Sequence, residues 1–347
     1  MALFKRTRDS FGLDIGSSAV KVVQIRNGAG HRLAALGTVP LDPDTITEGT
    51  IRNPAAIVGA IREAVGMAGV KSRDAVIGVS GRELIIKKVQ IPEVPAKELH
   101  DAVQLEAEHH IPFAIDEVFL DYHVVGTRDG VMDLILVAVK KSKVTEYTAV
   151  VEEAGFNPVV VDVDSFALGN QFELNHPEEA REAVALIDIG ASTMKTNVVR
   201  NGASIFARDI PFGGNNYTQA IMQHLRVPFE QAEAAKVGRD VGIAWDAIVP
   251  ALEAVSRELS LEIQRTFDYF ASTADSERIG KIVLAGGCAQ LPGLADYLSS
   301  TWGISVEVAR PFERVDVGEF AETVAAAGPS LAVAVGLGLR HAGDKAQ

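Results

Sequence analysis

Residues 11–25, FGLDIGSSAVKVVQI, are echoed at residues 185–199 by ALIDIGASTMKTNVV. Each copy is an apolar run closed by Asp-x-Gly, a turn carrying hydroxyl side chains, and a second β-rich run. A single Asp-x-Gly turn carries little weight, because Asp and Gly favour tight turns for backbone reasons alone. Two copies that each open a comparable meander imply a duplicated fold. The first meander reads FGLDIG, AVKVVQIRNG and RLAALGTVPL, and the second ALIDIG, MKTNVVRNG and ASIFARDIP. At 347 residues the chain also exceeds what one core usually supports, so two α/β halves are expected.

Between the meanders a helix is expected from about Asn53, a cap ahead of Pro54, with Ile57, Ile61, Ala64 and Val65 on one face. From Glu83 the texture changes: ELIIKKVQIP, a helix bracketed by prolines, VFLDYHVVG, DLILVAVK and a helix from about Ser142 to Glu153 read as a β-α-β-β-α module let into the first half. In the second half a long helix from about Trp245 to Phe270 turns Leu252, Val255, Leu259 and Ile263 inward. The expected organisation is residues 11–82, 157–184 and 330–341 in a first domain, 83–156 as the insert, and 185–329 in a second domain.

Lys and Arg number 33 against 46 Asp and Glu, a net charge of −13, which disfavours diffuse attraction to nucleic acid. Any phosphate must therefore be captured locally. The single cysteine, Cys288, excludes a disulfide framework, and MALFKRTRDS lacks the apolar centre of a secretory signal, so a cytosolic setting is expected. No transmembrane segment is expected; the longest apolar run, SLAVAVGLGL from Ser330, is interrupted by Gly336 and Gly338. Lys5, Arg6 and Arg8 could hold the N-terminus near anionic lipid, although a short basic start is more often a solvated arm.

The duplicated turns suit phosphate chemistry. Glycine admits close backbone approach, the amides of Gly16-Ser17-Ser18 and Gly190-Ala191-Ser192-Thr193 can donate to phosphoryl oxygens, and the hydroxyls add donors. Two such tips facing across a cleft would pinch a polyphosphate. Asp14 and Asp188 then sit where a hydrated magnesium ion needs outer carboxylates, and Lys21 either reaches back to the phosphates or faces solvent. A third turn, in KIVLAGGCAQLPGLADYL, runs a buried strand into Gly286-Gly287, where the absence of side chains leaves a floor for a base and ribose. Neither the dinucleotide fingerprint nor the Walker A loop is present. Glu106 and His110 in EAEHH are one helical turn apart without a third ligand and read as a solvated face; Cys288 reads as a small buried thiol.

As a set, DIGSSAVK, DIGAST and LAGG resemble the two phosphate hairpins and the adenosine turn of the actin-like ATPase superfamily. The resemblance implies an α/β, actin-like (ribonuclease H-like) duplicated two-domain fold with ATP and Mg2+ as cofactors. It places Gly213 and Gly214 in the nucleotide set, and Glu233 and Lys236 on the helix that grips ribose and adenine; by spacing alone these last two are a helical Glu-Lys pair. The position of Asp164 in VDVDSFAL matches the residue that orients the attacking water, and it equally suits a helix cap over Ser165 to Ala167.

The β-α-β-β-α insert resembles subdomain 1C of the FtsA branch, and AVIGVSGRELIIKKVQIP, KELHDAVQLEAEHHIPF and VVVDVDSFAL are similar to the PilM family of type IV pilus assembly. FtsA proteins end in an amphipathic membrane helix, whereas this sequence stops at RHAGDKAQ, which favours PilM. That resemblance implies a cytoplasmic ATP-binding adaptor with slow or no hydrolysis. Its partners would be the cytoplasmic N-terminal tail of PilN, a bitopic membrane protein, and through it the inner-membrane platform. Ile85, Val89, Leu99 and Val103 are the candidate groove positions, or else the insert's own core. Two other readings on the same fold are a small-molecule kinase and a filament-forming scaffold.

Overall fold

The computed structural model describes residues 9–28, 30–47, 49–177, 182–273 and 278–344; Lys5, Arg6 and Arg8 lie outside them. In lobe I, β1 (Ser10–Ile15), β2 (Ala19–Asn27) and β3 (His31–Pro40) form an antiparallel meander. A short tongue, β4 (Ile46–Thr47) and β5 (Thr50–Ile51), leads into α1 (Pro54–Ala68), and β6 (Asp74–Val79) returns parallel to β1. The chain then builds the insert from β7 (Leu84–Pro92), α2 (Leu99–His110), β8 (Val118–Arg128) and β9 (Val131–Lys140). It rejoins lobe I through α3 (Lys141–Glu153), β10 (Asn157–Val163) and α4 (Asp164–Asn175).

Lobe II repeats the plan with β11 (Ala183–Ile189), β12 (Met194–Arg200), β13 (Ala203–Ile210), α5 (Gly214–Leu225), α6 (Phe229–Lys236), α7 (Trp245–Thr273), β14 (Ile279–Ala285), α8 (Leu294–Trp302) and β15 (Ser305–Val308). The chain closes with β16 (Val315–Asp316), α9 (Ala321–Ala327) and α10 (Ala332–Gly338). The strand orders, β10-β6-β1-β2-β3-β16 and β13-β12-β11-β14-β15, share one five-stranded plan in opposite listing, which is the duplication expected from the echoed turns.

The sequence accounts for the elements locally. Every residue of β1, β6 and β11 is buried, because helices cover both sheet faces, and such strands read as continuous apolar runs. The Asn53 side chain accepts from the Ala56 amide, Pro54 opens α1, and Gly69 closes it in the left-handed region. Leu252, Val255, Leu259 and Ile263 of α7 are buried in the lobe II core as their spacing predicts.

Three features differ from the sequence-based expectation. Helix α3 is not part of the insert: Tyr147, Val150 and Val151 join Ile57, Ile61 and Ile77 in the lobe I core, so the separate module is the three-stranded sheet and α2. Its amphipathic stripe could serve either neighbour, and only the return of the chain to β10 decides which. The expected second domain, 185–329, also gives up its end, since β16 pairs in parallel with β3 and Phe312 and Val315 pack beneath lobe I. Residues 318–338 are long and apolar enough in composition to cross a membrane, a longer run than the ten residues noted from Ser330. Here they break into 3-10 turns and two seven-residue helices, of which α10 is buried along its whole length.

Helix α10 crosses α4 at close range through Gly336, where a Cβ would stand 1.8 Å from the Ala167 carbonyl oxygen. Gly336→Ala gains about 1 kcal/mol of helix propensity but drives a methyl group into fixed backbone, and a net loss of about 2 kcal/mol is expected in urea unfolding. Gly59→Ala, on the exposed side of α1 with nothing within 4 Å of the added methyl, is the matched control and should stabilise. Equal effects of the two substitutions would exclude the close crossing.

Candidate functional site

The two echoed turns meet across the lobe interface: Ser192 Oγ donates to Ser17 Oγ at 2.8 Å. In each lobe the first meander strand carries a buried aspartate next to its last residue, and the neighbouring strand sets a lysine opposite it. Lys21 Nζ lies 2.9 Å from Asp14 Oδ2, and Lys195 Nζ 3.1 Å from Asp188 Oδ2. Lys21 thus turns inward, not to solvent. Lys195 also reaches Asp164 Oδ2 at 3.3 Å, so one ammonium group bridges a carboxylate from each lobe. Asp164 is not at the cap position: it is the first residue of α4, behind Val163. Gly78 makes room for it, since a Cβ there would stand 2.0 Å from Asp164 Oδ1.

The turn glycines shape the tips. The Gly16 amide donates to Ala19 O and the Gly190 amide to Thr193 O, both at 3.1 Å, so neither is left for a ligand. The amides of Ser17, Ser18, Ala191 and Ser192 make no backbone hydrogen bond among the described residues and remain as donors. The second tip is fixed from behind, because Gly214 N donates to Gly190 O at 2.9 Å and Asn215 N to Ala191 O at 2.8 Å. A Cβ on Gly213 would fall 2.6 Å from both of those carbonyl oxygens, so the start of α5 seats on the tip only without a side chain.

The third turn lies against the second. Gly286 adopts φ +85°, and a Cβ there would sit 2.4 Å from Ile189 O and 2.8 Å from Asp188 Oδ1; Gly287 opens the 3-10 turn beyond it. Lys236 is buried, with Nζ 2.6 Å from Glu233 Oε2 and donating to Thr218 Oγ1 at 2.9 Å and Gly214 O at 3.2 Å. The Glu-Lys pair is therefore tied to the start of α5 and is not a solvated helix pair. The expected nucleotide residues converge on one cleft.

Three carboxylates, Asp14, Asp164 and Asp188, face two lysines there. Burial pushes the Asp164 carboxyl up, Lys195 opposes the rise and Asp14 adds to it. Burial alone would lower the Lys195 amine, but Asp188, Asp164 and Asp14 outweigh it and hold the amine well above its ordinary range. Behind Lys195, on the next strand, Asp209 is pushed up to about 6 by burial, partly offset by its hydrogen bond from Gly81 N and by Lys195.

Lys195 and Asp209 were not among the residues the sequence singled out. Lys195 had a signal: it stands at the same offset after the turn as Lys21, in DIGASTMK against DIGSSAVK. Asp209 had none, because its hydrogen-bond partner, Gly81, is in the other lobe.

A second feature is a cavity of about 680 Å³ bounded by β8 and β9 of the insert, β10 and α4 of lobe I, and part of lobe II. Phe119, Tyr122, Val137, Val160 and Phe166 supply apolar wall, and an ion pair between Arg340 and Asp162, 3.6 Å apart, sits at its edge. Both β8 and β10 are edge strands of their sheets. The four groove positions expected from sequence are elsewhere: Val89 and Val103 are in the insert's own core, with Ile85 and Leu99 packed against it. The core alternative therefore holds: Ile85 and Val89 lie on the face of β7 that α2 covers, and Leu99 and Val103 are on α2 itself.

Two ribonuclease H-like halves with paired turns facing across a cleft are the architecture of the actin-like ATPase fold. Similar folds occur in MreB5 of Spiroplasma citri bound to AMPPNP (13% identity, 95% of each chain, TM-score 0.56). The profile of the type IV pilus assembly protein PilM matches residues 12–342, and the chain belongs to that family. A solved PilM-PilN type IV pilus biogenesis complex is 30% identical over 96% of this chain and 98% of that chain, with a TM-score of 0.86. Cell division protein FtsA of Bacillus subtilis is a more distant relative, 25% identical over 86% of this chain and 78% of its own length.

The cleft packing predicts how its one thiol reacts. Burial raises Cys288 to about 11. At pH 8 the thiolate fraction is then about a hundredfold below that of an unfolded cysteine. Native protein should react with a thiol reagent at least about a hundredfold more slowly than urea-unfolded protein, and equal rates would show an open third turn.

Proposed function

We propose that the chain is an ATP-binding cytoplasmic adaptor of the type IV pilus inner-membrane platform. The observation that carries the nucleotide half is the Ser17–Ser192 contact, which brings the two donor-lined tips together over Asp14, Asp164 and Asp188. An excess of carboxylates over lysines suits a hydrated divalent cation riding on phosphate oxygens and repels a bare polyphosphate. Mg2+ held through waters by Asp14 and Asp188 meets that need and supplies charge neutralisation for the triphosphate. Ser17, Ser18, Ser192 and Thr193 then donate to the phosphates, while Gly286, Gly287, Glu233 and Lys236 border the adenosine. Asp164 is the water-orienting group, and its engagement by Lys195 fits slow or no turnover.

The partner half rests on the cavity. Two edge strands offer unpaired backbone groups beside an apolar wall, the surface on which an extended peptide adds as a strand. In this reading the occupant is the cytoplasmic N-terminal tail of a PilN-type bitopic protein, which holds the adaptor at the inner membrane. The similarity to the PilM-PilN complex supports the choice of partner.

Asp14→Ala or Asp188→Ala should each weaken Mg-ATP binding about 10–100-fold in titration calorimetry, with the double variant silent and the far-UV spectrum unchanged. Unchanged affinity in the double variant excludes the magnesium assignment. Val160→Asp should leave that nucleotide titration intact and weaken a fluorescent peptide of the PilN N-terminal tail about tenfold or more. A peptide that binds Val160→Asp as tightly as the parent is docking elsewhere.

A further inference from the structure

The duplication supplies its own control at one row of side chains. In lobe I, the strand register places Asp14, Lys21 and Thr38 side by side across β1, β2 and β3. The equivalent row in lobe II, across β11, β12 and β13, is Asp188, Lys195 and Asp209. The first two positions repeat and the third does not: lobe II carries an extra carboxylate. Asp209 Oδ2 accepts from the Gly81 amide of lobe I at 2.7 Å, while its Oδ1 is buried without a hydrogen-bond partner. Gly81 stands at the root of the insert, between the end of β6 and the start of β7, with φ +102°, a conformation few other residues adopt. Its own carbonyl accepts from Leu84 N at 3.1 Å, which makes the Gly81 turn the joint from which the insert departs.

We propose that Asp209 is a positioning residue that fastens the root of the insert to lobe II, so that closure of the cleft sets the stance of the insert and the width of the cavity beside it. Strand β13 carries both ends of this link. Asp209 at one end holds Gly81, and Ser204 at the other end lines the cavity, whose walls come from the insert, lobe I and lobe II together. Lys195, the cross-strand neighbour of Asp209, grips Asp188 and Asp164 in the cleft. A hydrogen bond to a charged acceptor is about twice as strong as a neutral one, so it can hold a joint that is otherwise only a glycine turn. The link to cleft closure rests on the nucleotide reading; the tie itself does not.

The test is hydrogen exchange on the full chain, read at the Gly81 amide and over β7, in the parent, Asp209→Ala and Asp209→Asn. Without nucleotide, the Gly81 amide should exchange about tenfold faster or more in Asp209→Ala, and at a rate between that and the parental one in Asp209→Asn, which keeps an acceptor oxygen but not its charge. Amides in β11 and β14 should not change. At saturating Mg-AMPPNP the parent should slow further at Gly81 and β7, and Asp209→Ala should not. Parental exchange at Gly81 in Asp209→Ala overturns the tie, as does acceleration spread evenly over both lobes, which is loss of stability alone. If the parent binds AMPPNP without any change at β7, the coupling to closure is wrong. If the parent binds no nucleotide, the function proposed above fails, and the unliganded comparison still decides the tie.

Discussion

Lys195 is the interaction on which the arrangement of the two lobes depends. It has a partner in its own lobe, Asp188, and would be satisfied there without Asp164. Asp164 comes from the other lobe, and the two are both nearly excluded from solvent when they meet. Removing two such charges from water costs several kcal/mol for each ion, and good geometry returns that loss only when every partner is in place. The lobes therefore have a narrow range of relative positions in which the cleft charges are compensated. A shift that parts the two leaves the buried Asp164 carboxylate without its cation, which costs free energy.

The two halves use the same strands and turns but do not share this role equally. Among the described residues Lys21 answers only Asp14, and its side chain keeps 17% of its exposure, whereas Lys195 keeps 11% and serves two carboxylates. The inequality arises from α4, which starts in lobe I and packs across toward lobe II. Asn197 Nδ2 donates to Ser165 O at 2.7 Å, and Ser204 Oγ to Asn197 Oδ1 at 2.8 Å, so the first turn of α4 is held by side chains of β12 and β13. Gly336 then lets α10 close over the other side of the helix. An element clamped this way transmits position from one lobe to the other because it cannot slide independently of either.

Much of this was legible in the sequence because it is local. The duplicated turns, the Asn53-Pro54 helix start and the inward stripe of α7 depend on neighbours within a few residues, and the cleft was found because three such turns occurred together. What stayed hidden depends on distant partners. Helix α3 carries an amphipathic face that suits insert or lobe equally. Strand β16 is two residues long, too short for any periodicity, and joins lobe I only through pairing with β3. Asp209 reads as one more polar residue on a strand until Gly81 is brought against it.

The second apolar face of the insert also left a signal in the sequence. A strand with one covered face alternates apolar and polar residues, and β9, VMDLILVAVK, does not. Leu134, Leu136 and Ala138 face the core under α2, and Ile135, Val137 and Val139 on the opposite face line the cavity. The 12-residue α2 covers only one of those faces. The second apolar face required a second cover, supplied in part by lobe I. Where that cover is incomplete, between the free edges of β8 and β10, the insert and lobe I leave an apolar surface whose backbone donors and acceptors are still available to an extended chain.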